Sequence, residues 1–193
     1  MAIDTGLGVV CADLQATGGI SQIILRSWLT ADAVTYGGTG VHTITNIQSG
    51  GDAAWFVYEF NNETPALTIN ATKENGSTAF ECGLSFTLPR MEVAKFNAIQ
   101  DMLNACLMII AVDTNDNAFV LGVSEKYRNE SVAERSQTFG QFASAEGGSG
   151  AAYSDENGVT ISLMARQFEM PREYAPSATG ITVASTGLTA TTD

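Results

Sequence analysis

The chain has 193 residues, 45% hydrophobic and only 16% charged, with 21 Asp plus Glu against 9 Lys plus Arg for a formal net charge of −12. That length suits one domain around one core, and the few, scattered basic residues exclude a generic nucleic-acid binder, which needs cations to displace phosphate counterions. Nineteen Gly together with abundant Ser, Thr and Asn favour short strands and tight turns over long helices.

The opening, MAIDTGLGVVCADL, has neither the basic nor the apolar stretch of a secretory leader. Residues 1–19 are Gly-rich, weakly patterned and end in Thr17-Gly18-Gly19, so they read as an N-terminal arm. Ile20 to Leu29 has the branched and aromatic content of a strand. After a turn at Tyr36-Gly37-Gly38-Thr39-Gly40, Val41 to Ile47 alternates apolar with polar; Ser49-Gly50-Gly51-Asp52 turns the chain again into Ala53 to Phe60. Short runs between Gly-rich turns are the mark of a sandwich or barrel.

The clearest periodicity follows. Leu67, Ile69 and Ala71 alternate with Thr68, Asn70 and Thr72, and Phe80, Cys82, Leu84, Phe86 and Leu88 alternate with Glu81, Gly83, Ser85 and Thr87. A period of two places one face in a core, and Asn75-Gly76 between the runs is the strongest short hairpin signal. The period then lengthens: from Pro89 to about Ala105, Phe96, Ile99, Met102, Leu103 and Cys106 fall on one helical face, so a helix over about 90–105 is predicted to pack its Phe96, Ile99 and Leu103 face on the sheet, with Pro89 at its start.

Leu107 to Val112 and Ala118 to Val123 read as strands joined by an Asp113–Asn117 turn. Ser124 to Ala145 is polar and reads as a long loop, of a length usually functional or ordered by a partner. Val159, Ile161, Leu163 and Ala165 mark the last alternating strand. Beyond Pro171 the sequence is nearly uncharged Ser, Thr, Ala and Gly, which cannot make a core and reads as a C-terminal arm. The expected organisation is an arm over 1–19, a domain over 20–171 and an arm over 172–193. Its fold class is mainly β, a sandwich or barrel of antiparallel strands with one flanking α-helix.

Nothing in the chain builds a catalytic or metal site. His42 is the single histidine and lies in an alternating strand, without a nucleophile and an orienting group to complete a triad. The run from Asp113 opens like a calcium loop, but it lacks the turn-forming Gly and has Ser124 where a bidentate Glu belongs. Gly37–Gly40 and Gly147–Gly150 match no phosphate-binding pattern. Cys11, Cys82 and Cys106 form no CxxC pair and read as reduced thiols of a chain made in a cytoplasm. No apolar run approaches the roughly 18 residues of a membrane span. No enzyme activity, cofactor or membrane partner is expected. A carbohydrate platform built from Trp28, Trp55, Tyr36 and Tyr58 is a weaker alternative, because Trp55 and Tyr58 sit in an apolar strand.

From Thr78 to Pro171 the order of blocks resembles the tail-tube proteins of tailed bacteriophages. TLPRMEVAKFNAIQDMLNACLMIIAVD gives an alternating strand ending in Leu-Pro, a helix and an apolar strand. DTNDNAFVLG and GSGAAYSDENGVTISLMARQFEMP then give an Asp/Asn turn, a strand ending in Leu-Gly and an Asp-x-Asn-Gly turn at Asp155, Asn157 and Gly158. The resemblance implies a virion protein, assembled in a host bacterial cytoplasm, whose partners are other copies of itself and other tail or connector proteins. Those copies form stacked rings, commonly hexameric, around a conduit through which DNA passes as non-specific cargo. An acidic bore would repel phosphates, and Glu74 and Glu81 are the candidate lumen residues. A head-decoration or head–tail connector subunit is the alternative within the same class.

Overall fold

The computed structural model describes residues 18–28, 32–38, 42–48, 55–59, 64–125, 138–152, 157–175, 182–184 and 187–189. In chain order the elements are β1 (Ile20–Ser27), β2 (Ala33–Tyr36), β3 (Thr43–Gln48), β4 (Phe56–Glu59), β5 (Ala66–Glu74) and β6 (Ser77–Pro89), then α1 (Val93–Leu103). They continue with β7 (Leu107–Asp113), β8 (Ala118–Leu121), β9 (Gly140–Gly148), β10 (Gly158–Gln167), β11 (Arg172–Tyr174), β12 (Thr182–Ala184) and β13 (Gly187–Thr189). The protein is mainly β with one helix among the described residues. Eleven strands form one sheet, and β12 and β13 pair separately. The strands are antiparallel except for the short parallel contact of β11 with β3.

The sheet is two layers joined at one corner. One layer runs β4-β1-β7-β8-β11-β3-β2 and the other β9-β10-β6-β5; among the described residues strand pairing joins them only where Leu107 of β7 pairs with Gly140 of β9. Glycine is required at this corner. A Cβ on Gly140 would lie 2.6 Å from Ile109 Cδ1, and one on Gly122, whose φ is +83°, would lie 2.6 Å from the Gly140 nitrogen. Gln167 reaches in as well, its side-chain carbonyl accepting the Gly122 N–H at 2.8 Å.

The continuous apolar runs of β1 and β7 are explained by burial on both faces. Ile23, Leu25, Leu107, Ile109 and Ala111 join the inner faces of β6 and β10, including Leu84, Phe86, Ile161 and Leu163, in one core. The intervening Ile24, Met108 and Ile110 face the other way and pack with Tyr36, Ile44, Ile47 and Trp55 in a second. Alternation in a strand sends neighbours to opposite faces, so the β1–β7 pair divides the molecule into two cores. Trp55 is 3% exposed, which removes it from any sugar-binding platform.

The expected hairpin is present. β5 and β6 pair from Ala66↔Ser85 to Glu74↔Ser77, with Asn75 at φ 48° and Gly76 at φ 81°; two consecutive left-handed residues make the type I′ turn that suits strand twist. The β7–β8 turn is likewise as expected. The Asp113 carboxylate accepts the backbone N–H groups of Asn115 and Asn117, both at 2.8 Å, and the Asn117 side chain at 2.9 Å. Burial alone would raise the pKa of Asp113, but these bonds outweigh it and hold the pKa below the usual carboxylate value.

Four expectations need correction. Residues 140–148 of the supposed long loop are strand β9, paired with β10; residues 126–137 lie outside the described residues. The domain does not end at Pro171, because β11 joins the sheet through Arg172↔Val120 and Glu173↔Phe119. Pro89 closes strand β6 opposite Gly158 instead of opening the helix, which starts at Val93 after Glu92. On the helix, Ile99 does pack on the core with Ala98 and buried Met102, but Phe96 is 42% and Leu103 44% exposed. An eleven-residue helix crossing a sandwich can bury one narrow stripe. The stripe of small Ala98 and flexible Met102 approaches the sheet more closely than one carrying Phe96. Of the supposed N-terminal arm, residues 1–17 lie outside the described residues, and Gly18 and Gly19 are tied to the β7–β8 turn by Thr114.

Candidate assembly surface

The β9-β10-β6-β5 layer has one face in the core and the other turned outward. Rows of that outer face follow from the pairing. Asn70, Glu81 and Arg166 lie side by side across three strands; Ala66, Ser85, Ser162 and Ser144 cross all four; Thr87 and Thr160 lead to Glu146. Small hydroxyl and amide side chains dominate. The Thr87 and Thr160 hydroxyls bond each other at 3.0 Å, and the Thr68 hydroxyl donates to the Gly83 carbonyl at 3.2 Å. A Cβ on Gly83 would meet that hydroxyl at 2.8 Å, so this row stays low.

Glu81 therefore stands on the outer face, as one member of an exposed cross-strand pair with Arg166, at 3.3 Å. Such a pair contributes little stability in water; its effect is to balance charge locally. Glu74 occupies the last pair of the hairpin, opposite Ser77. Its side chain lies outside the described residues.

Both edges of this layer are long. Among the described residues β5 pairs only with β6, so along Ala66–Glu74 the N–H and C=O groups of alternate residues point outward without a strand partner. The hairpin also outruns its neighbour: β10 ends opposite Phe80, leaving the pairs Thr72↔Ala79, Lys73↔Thr78 and Glu74↔Ser77 beyond it. On the other side, β9 meets β7 at Gly140 alone, and from Gln141 to Gly148 its outer edge has no strand partner among the described residues. Helix α1 comes close to β9 and carries exposed Val93, Phe96 and Leu103.

The other conspicuous polar groups have structural roles. The His42 ring nitrogen donates to the Met170 carbonyl at 2.9 Å. Arg26, wholly buried, is paired with Asp32 and stacks 5.0 Å from the Trp55 ring centroid, closing one end of the second core. Arg172 pairs with Glu125 and with Glu169, the latter at 3.1 Å, and fixes the chain on leaving β8. The Cys82 thiol is pushed up to about 11, first by burial and then by the Glu81 carboxylate, so at neutral pH it is an unreactive core thiol. Among the described residues no cluster of His, Cys, Asp or Glu could hold a metal ion, and no helix is long and apolar enough to cross a membrane.

Sequence reasoning singled out the hairpin and Glu81 but missed β9, the second half of this surface. Its one available signal was the register of small residues before Gly147-Gly148, which carries no apolar alternation. Comparison with protein-family models, with curated proteins and with solved structures returns no match in any of the three.

Proposed function

We propose that this chain is a self-assembling virion structural subunit, a tail-tube protein in which the β5 edge of one copy pairs with the β9 edge of the next. The observation that carries this reading is the pair of long free edges on opposite sides of one four-stranded layer. A head-to-tail contact between two different edges is heterologous, and it closes into a ring when the rotation between copies divides a full turn. Pairing the nine residues of β5 with the eight from Gln141 to Gly148 of β9 would make the layer continuous from copy to copy, a barrel without edges.

The outer face of the layer then becomes the bore. Among the described side chains it supplies hydroxyl and amide groups that hold water, with two carboxylates, Glu81 and Glu146, against one guanidinium, Arg166. An excess of negative charge in each copy, repeated round a ring, gives a wall that phosphates do not adhere to. DNA is accordingly transient cargo. The overall net charge of −12 acts in the same direction.

The test is negative-stain microscopy of the purified protein beside two single variants, Asn70→Pro and Ala71→Pro. Alternate amides of an edge strand point outward, so one of these prolines removes an outward donor while leaving the β5–β6 ladder whole. Hollow rings or tubes from the wild type, lost in whichever variant keeps the wild-type melting temperature, support the reading. A wild type that stays monomeric at high concentration, or rings untouched by both prolines, would overturn it. Particles that form only on a preassembled shell would favour a decoration subunit instead.

A further inference from the structure

The layer built on β1 and β7 also ends in a free strand. Among the described residues β4 pairs only with β1, and its first residue, Phe56, is 60% exposed. Between β4 and α1 lies a cleft of about 120 Å³ lined by Phe56, Tyr58, Ala98 and Met102 among others. Burial, and then the Asp101 carboxylate, hold the Tyr58 phenol above its usual pKa. Folded proteins protect such edges with bulges, prolines, inward charges or a covering segment. At the other end of this layer, β2 has a bulge between Thr35 and Tyr36. In β4 the pairing is regular and the sequence Phe-Val-Tyr-Glu contains no proline.

We infer that the C-terminal hairpin β12–β13 is the cover of this edge, docking on β4 of its own chain. Cα atoms of β13 come within 8 Å of those of β4, although the two are not joined in one sheet. Ladder partners stand about 5 Å apart, so a small approach completes the pairing. The connection has the right length. Ala175 is fixed by its N–H to the Ile44 carbonyl at 2.9 Å, and from β11 the sheet crosses β8, β7 and β1 to reach β4. Four strand spacings are about 19 Å, and the stretch from Ala175 to Thr182 extends to about 23 Å. The segment suits an edge: neither Thr182–Ala184 nor Gly187–Thr189 carries a charge or a proline. Covering β4 leaves β5 and β9 as the long open edges, and the consequence for assembly, a closed ring in place of branched aggregates, rests on the ring reading above.

Hydrogen exchange on the monomer tests the docking without requiring rings. The amides of residues 55–59 are compared in the full chain, in a chain ending at Ala175 and in full-length Leu188→Pro, each diluted until light scattering reports a monomer. The full chain is expected to protect β4 about tenfold or more over both variants, with β7 unchanged in all three as the folding control. Equal exchange of β4 in the full chain and the truncation overturns the inference. Protection that grows with protein concentration would also overturn it, since the cover would then come from a second copy. Because the readout is monomeric, failure here leaves the ring reading standing, and absence of rings leaves this one standing.

Discussion

The two layers solve opposite problems with the same secondary structure. In the β1–β7 pair both faces are buried, every second side chain serving a different core, and the strands are short and apolar. In the β9-β10-β6-β5 layer one face is buried and the other is polar, and both edges are long and without a strand partner among the described residues. The first arrangement spends all of its surface on folding. The second leaves half of its surface, and two rows of backbone groups, uncovered among the described residues. A strand buried on both faces has all of its side chains committed to the fold, whereas a strand buried on one face with a free edge keeps a template on which another strand can pair.

The largest effects that sharpen this contrast are in the shared core. Phe86→Ala is expected to destabilise the subunit by about 3–5 kcal/mol, whereas Ser85→Ala, one residue away on the outer face, should stay within about 0.5 kcal/mol; chemical denaturation of the two variants checks both. A comparable loss from Ser85→Ala would mean that the outer face is not free. Next comes the corner that joins the layers. Gly122→Ala combines a left-handed φ with a Cβ 2.6 Å from a backbone nitrogen, and should cost about 1–3 kcal/mol. An unchanged melting temperature would show that the layers are joined differently.

The helix separates its two stripes more finely. Met102→Ala should cost about 2–4 kcal/mol as a buried truncation, and Leu103→Ala, 44% exposed, less than about 1 kcal/mol. The smallest effect is at the β7–β8 turn. Asp113 has its pKa depressed in the folded state. Its contribution is therefore present above the unfolded value, about 3.9, and is lost as pH falls through the folded value. The stability gap between wild type and Asp113→Ala should close with acidification below about pH 4. A gap independent of pH would show that the carboxylate is not what holds the turn.

What the sequence made legible follows the same division. Where burial leaves a periodic trace, as in the alternation of Phe80 to Leu88 or the apolar run of β7, strands could be placed from residues alone, and Asn75-Gly76 and Asp113–Asn117 placed their turns. β9 left no such trace, because most of its side chains are exposed and backbone pairing with β10 requires no particular residue type. β11 was hidden for a related reason: Arg-Glu-Tyr after a proline has no pattern, and Arg172 belongs there through its pairs with Glu125 and Glu169. The helix was legible but not its rotation about its axis, since the apolar face is wide and the sheet takes the Ala98, Ile99 and Met102 flank of it and leaves Val93, Phe96 and Leu103 exposed. Half of the candidate assembly surface, β5 with Glu81, was thus readable, and its β9 half was not.

The most direct test is a cryo-electron microscopy map of the assembled wild-type protein, in which the strands at the joint between copies can be traced. The account predicts hollow rings with β5 of each copy hydrogen-bonded to β9 of the next, and Asn70, Glu81, Ser162 and Glu146 facing the bore. Rings joined through the β4 edge or the helix, with the β9-β10-β6-β5 layer facing outward, would contradict it.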